Sequence, residues 1–64
     1  MISEYDKVRI IETGIIGRVI DIHTTDDVEV YIVESEKKGV PGGYGGEDSW
    51  KLFDCTQEEL EKID

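Results

Sequence analysis

Cys55 is the single cysteine and His23 the single histidine of this 64-residue chain. Together they are the residue types of a thiolate nucleophile and its activating base. Sequence spacing alone does not bring them together, and cysteine is among the most often buried residues. Cys55 is therefore expected in the core and His23 beside a turn, facing solvent, and no enzyme is expected. One Cys and one His cannot build a structural zinc site by themselves. Asp26-Asp27-Val28-Glu29 offers oxygen ligands without the spacing of a calcium loop. Gly39 to Gly46 lacks the Lys and Ser/Thr of a phosphate cradle. Neither a cofactor nor a dedicated metal site is expected.

The aromatics are the better lead. Tyr31 alternates out of phase with Val28, Val30 and Ile32. Tyr44 sits inside a glycine-rich stretch, and Trp50 and Phe53 fall on opposite faces of one strand. Aromatic side chains carry much of the energy at protein interfaces, and beside carboxylates they suit the Lys or Arg of a partner peptide through cation–π contact. Tyr31, Tyr44, Trp50 and Phe53 are the candidate partner-binding residues. The competing expectation is that one of Trp50 and Phe53 fills the core, since a small domain needs its aromatics inside.

Charge points the same way. Sixteen acidic residues against seven basic ones give a formal net charge of −9, spread along the chain. Binding to nucleic-acid phosphates draws on clustered Lys and Arg, and only Lys37-Lys38 form a basic pair. A protein or peptide partner, basic in character, is expected over nucleic acid. No stretch approaches the ~20 apolar residues of a membrane span. The opening Met-Ile-Ser-Glu-Tyr-Asp lacks the basic and apolar regions of a signal peptide. A cytoplasmic protein is expected.

Strands must position these residues. Lys7–Ile11 and Arg18–His23 are rich in Val and Ile and flank glycines at Gly14 and Gly17, which reads as a hairpin. Val19 and Ile22 are three apart, so a bulge near Ile20-Asp21 is needed to bring both inward. Thr24–Asp27 is a polar turn. Val28–Val33 is a third strand. Positions 34–49, with five of the seven glycines and the only proline, form a flexible loop. Trp50–Asp54 is a fourth strand. Thr56-Gln-Glu-Glu59 matches a capping box and predicts a short C-terminal helix that docks Leu60 and Ile63. One domain spanning 1–64 is expected, and at this length its stability margin is thin.

The segment Gly17-Arg-Val-Ile-Asp-Ile22 and the opening Tyr5-Asp6-Lys7-Val8-Arg9-Ile10 resemble the core of KOW-type and other SH3-like small barrels. Short bacterial proteins share a similar plan. The resemblance covers Tyr5 to Val33 and implies a mainly β fold: an SH3-like, KOW-like barrel of four to five antiparallel strands with a short C-terminal helix. KOW domains bind RNA or protein partners and are usually rich in basic residues, a pattern from which this acidic chain departs. The expected function is a non-enzymatic protein-interaction module, with a KOW-like nucleic-acid or ribonucleoprotein-associated domain as the alternative.

Overall fold

The computed structural model describes residues 1–63 of the chain. Five antiparallel strands form one sheet, in the order β4-β3-β2-β1-β5. They are β1 (Lys7–Ile10), β2 (Ile16–Thr25), β3 (Val28–Lys38), β4 (Trp50–Cys55) and β5 (Leu60–Lys62). The sheet is curled but not closed into a barrel.

The hairpin expected at the start is present, with Val8 opposite Gly17. Gly17 sits where the backbones of β2 and β3 lie too close for a side chain. A Cβ there would overlap the Glu34 carbonyl oxygen and come within 2.8 Å of Val33 Cγ1. The missing side chain lets the two backbones close over Val8, which is fully buried. Two residues later the register of β2 against β3 shifts between Val19 and Asp21. This is the expected bulge, and it turns both Val19 and Ile22 toward the core. Asp26 and Asp27 then reverse the chain with φ of 52° and 65°. Positive φ at both central residues marks a primed two-residue turn, the kind whose twist matches the strands it joins.

The core lies on one face of the curl. Ile2, Val8, Ile10, Val19, Tyr31, Val33, Cys55 and Leu60 are buried there, and Ile15, Ile22 and Phe53 pack against them. The N-terminal turn is tied to the sheet: Tyr5 N–H donates to the Val19 carbonyl at 2.6 Å, and the Asp6 carboxylate accepts from Ser3 N–H at 2.8 Å. That backbone hydrogen bond, followed by the charge of Lys62, outweighs partial desolvation and holds the Asp6 carboxyl below its ordinary pKa.

Three expectations require correction. β3 does not stop at Val33 but runs to Lys38, so the loop is 39–49 and not 34–49. Only Ser35 points inward from the added half, which leaves no apolar alternation to read. Its buried hydroxyl donates to the Lys37 carbonyl at 2.7 Å and accepts from Lys51 N–H at 2.9 Å. These bonds span the place where the β3–β4 register shifts between Glu34 and Lys38. The C-terminal helix is only a 3₁₀ turn, Gln57–Glu59. The Glu59 carboxylate does accept from Thr56 N–H, at 2.7 Å, as a capping box requires. A helix so short gains little on its own, whereas residues Leu60–Lys62 gain a full set of strand partners in β1. The closed barrel, finally, is an open sheet.

Two substitutions test this account. Gly17→Ala forces a methyl group into β3 backbone and is expected to destabilise the protein by about 1–3 kcal/mol, read by urea unfolding. Asp27→Gly relieves a positive-φ Asp and is expected to stabilise by about 0.5–1 kcal/mol, a rise in Tm of about 2–6 °C.

Candidate functional site

The four aromatics are sorted by two strands. On β3, Tyr31 lies on the core face with Val33 and is only 2% exposed. Its hydroxyl donates to Glu29 at 3.0 Å. Burial, then that hydrogen bond and the charges of Glu29 and Glu58, push the Tyr31 pKa up. Tyr31 is thus a core residue and not a surface contact. On β4, Phe53 pairs with Val33 and packs against the same core. It is only partly buried, because β4 is the edge of the sheet.

The glycine loop covers Phe53. Gly43, at φ 70°, lies so close that an added Cβ would stand 2.9 Å from Phe53 Cζ and 2.8 Å from the Leu52 carbonyl. Only glycine meets both conditions. The next residue, Tyr44, bridges to Leu52 with two backbone bonds, of 2.8 Å and 2.9 Å. Lys51 Nζ donates to the Gly42 carbonyl at 3.2 Å, and Gly39 N–H to the Ser49 carbonyl at 3.0 Å. The segment expected to be a loose tether is folded onto the sheet edge at these points.

Tyr44 and Trp50 are left outside, 65% and 51% exposed. Trp50 pairs with Lys38 across β3–β4, and the Lys38 ammonium sits 4.4 Å above its ring centre. Trp50 also borders a hollow of about 350 Å³ lined by Lys7, Arg18, Ile20 and Glu34 among others. Two of the four expected contact residues are therefore exposed near β4, and two belong to the core.

The face of the sheet away from the core was not anticipated. Val30, Ile32 and Leu52 are half-buried there. Asp21, Ile32 and Asp54 stand side by side across β2, β3 and β4, and Arg18, Glu34 and Leu52 form the adjacent row. The even spacing of Val28, Val30 and Ile32 was its signal in the sequence. It was hard to read because Tyr31 and Val33, on the odd positions, are the ones that fill the core.

Most cations are occupied by the protein itself. Lys7 pairs with Glu36 at 3.2 Å, Lys62 with Asp6 at 3.6 Å, and Arg9 with Glu61. Arg18 donates to the Tyr5 carbonyl at 2.7 Å. With Lys51 on Gly42 and Lys38 on Trp50, only Lys37 has no such partner among the described residues.

Cys55 and His23 do not meet. Cys55 is buried opposite Tyr31, which in turn pairs with Ile22. His23 follows Ile22 on the strand, so it points to the other face, where it is exposed. Burial, reinforced by the carboxylates of Glu59 and Asp54, pushes the Cys55 thiol up to about 11. Among the described residues no three His, Cys, Asp or Glu side chains are grouped to hold a metal ion, and no helix is long and apolar enough to cross a membrane. Comparison with known proteins finds no match to a family model, a curated protein or a solved structure.

The thiol gives a direct check. Native protein at pH 8 is expected to alkylate with iodoacetamide far more slowly than a free thiol, and at the free-thiol rate in urea. Because the folded state holds the Cys55 proton more tightly than the unfolded state, its contribution to stability is complete at neutral pH. That contribution is expected to fade as pH climbs from the ordinary thiol range toward 11.

Proposed function

We propose that this protein is a non-enzymatic interaction module of the SH3-like type that binds a basic protein or peptide through the Trp50 side of its sheet. One observation carries the reading. Six of seven cations are engaged within the chain while an exposed Trp50 and Tyr44 stand on a surface with a large excess of carboxylates. Such a surface has little left to offer a phosphate backbone and much to offer a Lys or Arg side chain.

The SH3-like assignment is supported by the strand order and by the 3₁₀ turn that joins β4 to β5. It is also supported by the β2 bulge and by the close approach of Gly17 to β3. A cytoplasmic setting suits the lone unpaired thiol. The Lys38–Trp50 contact supports the reading: an ammonium group rests on the indole ring, and a partner's cation would take an equivalent place.

Trp50 is the only tryptophan, so its fluorescence reports directly. Titration with a Lys/Arg-containing peptide at low salt is expected to give a saturable change that weakens as salt is raised. Trp50→Ala, followed by calorimetry, is expected to reduce affinity by about tenfold or more. The reading is overturned if basic peptides leave the emission unchanged while an RNA or DNA oligomer binds with steep salt dependence.

A further inference from the structure

The geometry points to the solvent face of β2-β3-β4 as the docking surface, and to a basic amphipathic helix as what covers it. This deepens the interaction-module reading and rests on it.

The surface is apolar at its centre, with Asp21 and Asp54 flanking Ile32, Glu34 beside Arg18 in the next row, and His23 beside Val30. Ile32 is half-buried by its neighbours, with Asp21 beside it on β2 and Asp54 beside it on β4. Val30 lies before it on β3 and Glu34 after it, next to Leu52. Both aspartates are exposed, and no cation pairs with either among the described residues. Trp50 stands on the same face, two residues before Leu52.

The charge pattern selects the occupant. The face also carries two cations, but both are engaged within the chain: Arg18 on the Tyr5 carbonyl and Lys38 on the Trp50 ring. Asp21, Glu34 and Asp54 are left without an ion-pair partner among the described residues, and a second copy, itself of net charge −9, brings the same excess of carboxylates, an unfavourable match. Nucleic acids and anionic lipid surfaces are repelled for the same reason. A polypeptide carrying Lys or Arg on either side of an apolar residue is complementary.

The spacing selects its form. Asp21 and Asp54 are two inter-strand steps apart, about 10 Å. Residues i and i+7 of a helix lie about 10.5 Å apart on one face, with i+3 and i+4 between them. Lys or Arg at i and i+7 therefore reaches the two aspartates, while apolar residues at i+3 and i+4 rest on Ile32. An extended segment reaches 10 Å in about three residues, which places its two basic side chains on opposite faces.

The test uses an alanine-based synthetic peptide with Lys at i and i+7 around Leu at i+3 and i+4, and a scrambled peptide of the same composition. Amide shifts are followed on the intact protein. The expected result is shifts at Asp21, Ile32, Leu52 and Asp54, and clearly weaker binding of the scrambled peptide. The double variant Asp21→Asn/Asp54→Asn keeps size and hydrogen-bonding shape, and is expected to bind about tenfold more weakly, as the loss of two exposed ion pairs implies. Ile32→Thr keeps β-branching and is expected to weaken binding with an unchanged circular dichroism spectrum. Equal binding of both peptides overturns the inference, as does insensitivity to these variants. If Trp50→Ala still abolishes that binding, the interaction-module reading stands without this surface. Concentration-dependent self-association that Ile32→Thr removes would assign the face to a second copy, and likewise overturns the inference.

Discussion

Gly17 lies beneath the backbone of β3 at Val33 and Glu34, and the shape of the molecule follows from that approach. With no side chain between them, β2 and β3 close to a distance that pulls the sheet into a curl over Val8. The bulge at Val19–Asp21 continues the bend and keeps both Val19 and Ile22 on the inner side of β2. A straight sheet of these strands would expose Val8, Val19 and Val33. A domain this small has few other apolar residues to bury in their place. The curl also carries β5 into position beside β1, where Leu60 completes the core.

The same geometry divides the sheet into two chemically distinct faces. Inside, the polar groups present are satisfied: Ser35 bonds to two backbone groups, and the Tyr31 hydroxyl bonds to Glu29. Outside, the cations are drawn into local contacts, and the carboxylates that outnumber them are left to set the field. Individually these surface ion pairs contribute little to stability. Their larger effect is on the potential a visiting molecule meets, since each cation held close to a carboxylate or carbonyl is less available to an incoming anion.

Much of the first half of the chain was legible because its constraints are local. The three-residue spacing of Val19 and Ile22 can be reconciled with a strand only by an extra residue, and the bulge lies where that requires. Gly17 and the Asp26-Asp27 turn are likewise written in residue type. The second half depends on partners distant in sequence. Glu34–Lys38 carries charged residues around a lone Ser35, and becomes a strand because β2 and β4 flank it. Thr56 and Glu59 form the predicted capping contact, but pairing with β1 draws Leu60–Lys62 out of any helix. Tyr31 was misplaced because alternation shows that two faces exist without saying which one is the core. That choice is made by Gly17 and Val19, across the sheet from Ser35 and Val33.

The pairing of β5 with β1 ties together segments from opposite ends of the described chain, Val8 against Lys62 and Ile10 against Leu60. The β2–β3 hairpin, by contrast, closes through a two-residue turn. Loop closure is costlier the farther apart the joined residues lie, so the central hairpin can form early and the β1–β5 seam comes late. During synthesis β1 emerges first and its final neighbour last. Through that interval one edge of β1 is open and Ile10 lacks its covering Leu60, an arrangement that favours mispairing with other chains. Arg9 lies on this edge with its side chain outward, a charge of the kind that discourages strand-to-strand addition. In the finished fold it meets Glu61 across the seam, so one residue guards the open edge and then helps to close it.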